Sequence, residues 1–145
     1  MANSVTIKVD GLQQLGERMR SLSSKTALKF SGRATSKAGS LVKKAAKNNL
    51  RASPSIDTGL LEKNVIIKKI PKTKTMLTAE HVVTVKKIKY PDGKSDTRQV
   101  GRYAEFGTVN MPAEPYLRPA LASNIQPAID AMKNSLAKDI LKEGA

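Results

Sequence analysis

The 145 residues amount to one domain, long enough to bury roughly two-thirds of the surface that the unfolded chain exposes. Cysteine is absent, which removes disulfides, thiolate metal sites and cysteine nucleophiles together, and suits a reducing compartment or a redox-indifferent particle. A formal net charge of +14 directs attention to polyanions: nucleic acid, an anionic membrane surface or an acidic protein face.

The charge is one-sided. Residues 1–89 hold 19 of the 26 Lys and Arg and 5 of the 12 Asp and Glu, whereas residues 90–145 hold 7 of each sign. All of the excess therefore precedes Tyr90. No apolar run approaches the roughly 20 residues of a membrane span, and MANSVTIKVDG lacks the layout of a signal peptide. A chain made and used in a cytoplasm, without membrane contact, is expected.

In chain order, Ser4–Val9 alternates with Val5, Ile7 and Val9 on one face, the pattern of a short half-buried strand. Asp10 can cap a helix over about 11–22, in which Leu12, Leu15, Met19 and Leu22 recur at helical spacing. Ser23 or Ser24 caps a longer helix running to about Ala52. Lys25, Lys29, Arg33, Lys37, Lys43, Lys44, Lys47 and Arg51 fall within one third of its wheel, and an alanine-rich apolar arc occupies the rest. Like charges at i,i+4 cost stability unless something anionic faces them. The face is therefore read either as a solvated surface or as a contact for DNA or an acidic partner through Lys25, Lys29, Arg33, Lys37, Lys44, Lys47 and Arg51.

Pro54 ends that helix, and Asp57–Leu61 reads as a capped turn or one short helix. Val65–Ile70 and Glu80–Ile88 are rich in β-branched residues and read as strands joined by a hairpin-like loop over Pro71–Ala79. Pro91-Asp92-Gly93 marks a turn, and Arg102–Phe106 is expected to be a third strand of the same meander. Ser123–Lys142 is again helical, with Pro119 fitting the first turn of that final helix. The expected fold is α+β: one domain over residues 1–145, an antiparallel meander sheet packed by a long N-terminal helix and a C-terminal helix.

Chemical motifs are sparse. The single histidine, His81, lies in an expected strand with no second metal ligand in an identifiable pattern. Asp57-Thr58-Gly59 matches the triplet of aspartic proteases, whose small versions dimerise so that two aspartates share a proton. Its surroundings are wrong, because Ser53-Pro54-Ser55 stands where an apolar strand should lead in, so a helix-capping turn is preferred. No phosphate loop, metal cluster or nucleophile–base pair is found; no cofactor and no enzyme activity are expected. Single-strand binding platforms interleave aromatics with cations, yet only Phe30 is aromatic in the basic half.

YAEFGTVNMPAEPYLRPAL, residues 103–121, holds three of the five aromatics and three of the seven prolines. Each proline restricts itself and its predecessor, so Met111–Pro115 is stiff and extended, and Gly107 permits a backbone that other residues resist. The stretch reads as a braced elbow between sheet and helix. Phe106 and Leu117 are expected in the core. Met111, Pro112 and Tyr116 could form an exposed rigid edge for a neighbouring subunit.

Glu105-Phe106-Gly107-Thr108, Met111-Pro112-Ala113 and Pro115-Tyr116-Leu117-Arg118-Pro119-Ala120 strongly resemble the signature of a head–tail joining family, the neck or tail-completion proteins of long-tailed bacteriophages and prophages. Val9-Asp10-Gly11-Leu12 looks like the family's opening, the Lys/Ala helix like its second element, and Thr58-Gly59-Leu60-Leu61 like its T-G-x-L turn. Asn64 departs from the pattern, which favours a small residue there. The resemblance spans about Val5 to Leu121. It implies a structural virion protein, assembled in the host cytoplasm into a ring, naturally sixfold, at the head–tail junction. Head-completion or connector proteins and the tail tube protein are the implied partners, with non-specific contact to packaged double-stranded DNA. On the residues themselves, Phe106, Gly107, Met111, Pro112, Pro115, Tyr116 and Arg118 are the candidates for subunit or partner contact, helped by the polar loop over 90–101. The competing reading is a small basic protein that binds nucleic acid without sequence preference.

Overall fold

A computed structural model of the chain describes residues 11–53, 59–71 and 79–144. The expected Ser4–Val9 strand, the Asp10 cap of the helix after it, Asp57-Thr58 and most of the Pro71–Ala79 loop lie outside the described residues.

Helix α1 (Leu12–Ser21) follows Gly11, whose φ of 79° turns the chain into it. Helix α2 (Ser24–Ala52) is capped by Ser23, whose hydroxyl accepts the Thr26 N–H. Its buried side chains Phe30, Ala34, Ala38, Val42, Ala46 and Leu50 recur every fourth residue, so one stripe faces inward. Three of these six are alanine, which lets other elements approach closely. Helix α5 (Leu117–Gly144) lies antiparallel along this stripe. Arg33 meets Asp139 at one end, and the Asn49 side-chain amide donates to the Tyr116 carbonyl at the other.

The short helix α3 (Gly59–Lys63) leads into strand β1 (Val65–Lys69), which pairs antiparallel with β2 (His81–Val85) from Val65↔Val85 to Lys69↔His81. Odd-numbered residues of this hairpin face α2: Ile67 packs against Gly39, and the His81 Nδ1 lies 2.8 Å from the Thr35 hydroxyl. Hairpin and α5 thus rest side by side on α2. The fold is α+β, as expected.

The meander is one strand shorter than the sequence suggests. The Pro91-Asp92-Gly93 turn forms, with the Gly93 N–H donating to the Tyr90 carbonyl and the Asp92 carboxylate accepting from Lys94 and Ser95. The chain then enters helix α4 (Thr97–Phe106), so Arg102–Phe106 is helical and, among the described residues, the sheet has two strands. A capping box decides this. Asp96 accepts the N–H groups of Arg98 and Gln99, and the Gln99 side chain accepts the Asp96 N–H. Thr97 pins the helix start to the chain leaving β2: its hydroxyl donates to the Lys86 carbonyl and accepts from the Ile88 N–H. The centre of the core is Leu50, Leu61, Val65, Val85, Ala104 and Tyr116, where α2, α3, the hairpin, α4 and the start of α5 converge.

Candidate functional site

The aromatic stretch singled out in the sequence forms a corner joining α4 to α5. Gly107 ends α4 at φ 74°, and a Cβ there would stand 2.8 Å from the Ala113 nitrogen and 2.9 Å from the Met111 oxygen. Only glycine lets the chain fold back this tightly. Thr108 and Met111 exchange backbone hydrogen bonds across the small turn that follows, and the Glu114 N–H returns to the Ala104 carbonyl at 2.8 Å. The Ser53 hydroxyl donates to the Glu114 carboxylate, tying the corner to the end of α2.

Glu105 is the centre of this arrangement. It is buried, at 4% exposure. Its carboxylate accepts the backbone N–H groups of Tyr116, Leu117 and Arg118 at 2.8–3.0 Å and the Arg118 Nε at 3.0 Å. These are the free donors at the start of α5, so Glu105 serves as that helix's N-cap from a different element. Arg118 also donates to the Glu105 carbonyl, and its guanidinium lies 5.1 Å from the centroid of the Phe106 ring. Burial alone would push the Glu105 carboxyl up. The N–H groups of Leu117, Tyr116 and Arg118, with the Arg118 guanidinium, outweigh it and hold the group below the ordinary glutamate range.

Of the expected contact residues the corner exposes Phe106, Pro112, Pro115 and Arg118 and buries Tyr116. Tyr116, expected on an exposed edge, is 2% exposed and fills the core. Burial, with a smaller push from the Glu105 charge, raises its phenol to about 12. Phe106, expected in the core, is 65% exposed. The helix explains the exchange. On α4 the inward side carries Thr97, Gly101 and Ala104, which leaves Tyr103 and Phe106, three residues apart, on the outward side with fully exposed Val109 just beyond. Pro112, Pro115 and Arg118 are exposed, and Gly107 and Met111 are half-buried. Tyr103 and Val109 were not singled out in the sequence; helical spacing through Thr97–Phe106 would have found Tyr103.

The basic face of α2 is present. Lys25, Lys29, Arg33, Lys37, Lys44 and Arg51 are exposed and Lys47 half-buried. Two of its cations are already engaged: Arg33 pairs with Asp139 at 3.1 Å and Arg51 with Glu62 at 2.5 Å. The Arg51 hydrogen bond holds the Glu62 carboxyl below its usual range. Lys43, Lys44, Lys47 and Arg51 line one shallow recess with Ser40 and Asn48. Among the described residues, no group of histidine and acidic side chains is placed to hold a metal ion, and no helix is long and apolar enough to cross a membrane.

The sequence matches, over residues 13–107, the family described as "Bacteriophage HK97-gp10, putative tail-component". No curated protein and no solved structure matches the chain.

Proposed function

This chain belongs to the HK97-gp10-like family of bacteriophage tail components, a structural part of the virion, and from that premise we propose that it forms a ring at the head–tail junction, completing the tail and joining it to the DNA-filled head. The observation that supports this reading is the corner. Glu105, Gly107, Tyr116 and Arg118 are all engaged in bracing it. What the brace holds outward is an aromatic and apolar set, Tyr103, Phe106 and Val109. A rigid exposed aromatic is the kind of anchor on which protein interfaces concentrate their affinity. A ring of identical subunits, hexameric to match a tail, uses one such patch against a different patch on the next copy.

The role needs no catalysis. Head-completion or connector proteins lie on one side of the ring and the tail tube protein on the other, and the lysines of α2 dock on acidic faces of those neighbours. A second reading keeps the lysines for duplex DNA, and the four-cation recess at Lys43–Arg51 favours it. Duplex affinity that falls with salt at a slope near −0.9 per phosphate contact would support that reading. Phe106→Asp is the direct test of the first. The variant should fold as the parent does, since the side chain is exposed, and should fail to form rings under electron microscopy when tail ends are supplied as template. In the phage, loss of the gene should leave separate heads and tails; normal infectious virions would defeat the proposal.

A further inference from the structure

Hairpin and α5 do not close over α2. Between them runs a groove of about 790 Å³. Its floor is Ala38, Gly39 and Val42 of α2, and its walls are β2 and the Leu121–Met132 face of α5. Val82 and Leu121 on those walls are 42% and 54% exposed. The β1 strand residues do not line it, so the groove lies along the other edge of β2.

That edge carries backbone groups turned away from β1. The Ile70 N–H donates to the Glu80 carbonyl and the Lys86 N–H to the Asn64 carbonyl. The alternation of an antiparallel ladder therefore turns the backbone groups of the even-numbered β2 residues to β1 and those of His81, Val83 and Val85 to the opposite edge. The Val85 carbonyl is taken by the Arg98 Nε at 3.0 Å. Among the described residues, what remains is a two-residue template at His81 and Val83, above an apolar floor. A two-stranded sheet with such an edge is incomplete.

We infer that the groove is a docking site for an extended apolar segment, and that its occupant is Ser4–Val9 of the same chain, added to β2 as a third strand. Three observations select it. The segment alternates Val5, Ile7 and Val9 with polar residues, which suits a strand with one face on α2. Its anchored end is at the right level: Gly11 shares a recess with Ala137, Ile140 and Leu141 of α5, the end of α5 whose Ser135 and Asp139 share a recess with His81, and the two peptide steps from Gly11 back to Val9 span up to about 7 Å. Its direction also fits. His81 and Asp139 line one recess, whereas Val85 packs in the cluster of Tyr116 and Ala120. The β2 strand thus runs from the C-terminal half of α5 towards its start. A segment that ends at Gly11, beside Ala137 and Ile140, runs the opposite way, antiparallel to β2. Matching the inward faces then pairs Val9 with His81 and Ile7 with Val83, and sets Lys8 and Thr6 opposite the outward-facing Val82 and Thr84. This inference does not depend on the ring.

The cysteine-free chain makes the test clean. Lys8→Cys with Val82→Cys, and Thr6→Cys with Thr84→Cys, create outward-facing pairs at the closely spaced positions of the ladder. Mild oxidation should give an intrachain disulfide in each double variant, read as a faster-migrating monomer on a non-reducing gel. A covalent dimer or ladder would show that another copy fills the groove and would overturn the inference, as would no disulfide at either pair. Hydrogen exchange on the unaltered protein reads the same edge without mutation. The His81 and Val83 amides should exchange at least about a hundredfold slower than open edge amides, and Ile7→Asp should return them to fast exchange. Fast exchange in the unaltered protein refutes the pairing.

Discussion

Glu105→Gln isolates what the buried carboxylate does. The substitution keeps the shape of the side chain and removes its charge. Four donors converge on the two oxygens of Glu105: three backbone N–H groups of α5 and the Arg118 Nε. A glutamine offers one carbonyl oxygen to them and turns an NH2 towards the rest. Hydrogen bonds to charged groups contribute about 1.5–3 kcal/mol each, but the Arg118 side chain is 64% exposed and the helix-end N–H groups can turn partly to water. The net cost at pH 7 should be about 2 kcal/mol, comparable with losing a strong N-cap together with its favourable interaction with the helix dipole. At roughly 3 °C per kcal/mol for a chain of this length, Tm should fall by about 6 °C.

The pH dependence separates this account from a generic packing defect. The Glu105 carboxyl is held below its ordinary value in the folded state. Its contribution is therefore complete above the unfolded glutamate pKa, about 4.3, and is lost as pH falls through the folded value. Thermal unfolding followed by circular dichroism at pH 7 and pH 3 should show the gap between Glu105→Gln and the parent closing in acid. A variant within about 0.5 kcal/mol of the parent at neutral pH, or a gap that stays constant down to pH 3, would refute the cap.

Three further outcomes follow from the same packing. Gly107→Ala forces a Cβ to 2.8 Å from backbone at φ 74° and should cost about 3 kcal/mol or more in chemical denaturation; a cost under 1 kcal/mol would mean the corner is loose. Gly101→Ala sets its Cβ 2.7 Å from the Tyr116 hydroxyl and should cost about 1–3 kcal/mol, most of it recovered in Gly101→Ala/Tyr116→Phe, which removes that oxygen; additivity of the two changes would contradict the contact. The Tyr116 phenol, raised to about 12, contributes stability that is complete below pH 10 and lost as pH rises through 12, so alkaline unfolding should be shallower in Tyr116→Phe than in the parent.

Where structure was legible, the deciding residues lay close together in the chain. The α2 helix shows its period, its Ser23 cap and its terminating Pro54 within one continuous run. The hairpin shows two β-branched segments at a short separation. The period of helix α5 is legible over Ser123–Lys142 and Pro119 marks its first turn, but its start at Leu117 is set by a carboxylate eleven to thirteen residues upstream, on another element. No local residue announces that cap. Helix α4 replaces the third meander strand expected over Arg102–Phe106 after the Pro91-Asp92-Gly93 turn. The competing signal, Asp96 with Gln99 three residues later, was present and is the stronger of the two, since it supplies partners for backbone donors that a strand would have left to β2. The exposure of Phe106 follows directly from that one error: change the period of residues 97–106 from about 2 to about 3.6, and Phe106 swings from core to solvent.

The same inversion bears on how the corner would work in the proposed ring. Residues that make the signature recognisable divide into those that build the bend and those the bend presents. Glu105, Gly107 and Tyr116 are inside or locked, and none offers a side chain to a neighbour. Phe106 is outside, yet its orientation depends on them twice: through α4, which ends at Gly107, and through Arg118, which is held by Glu105 and lies over the Phe106 ring. If the proposed ring forms through this corner, contact specificity falls to exposed residues such as Tyr103, Phe106, Val109 and Pro112, while the buried set determines whether a fixed surface exists. Changing Tyr103 or Val109 should alter assembly at constant Tm. Changing Glu105 should lower Tm and assembly together, with assembly recovering at temperatures well below the transition, because the surface is intact whenever the corner is folded.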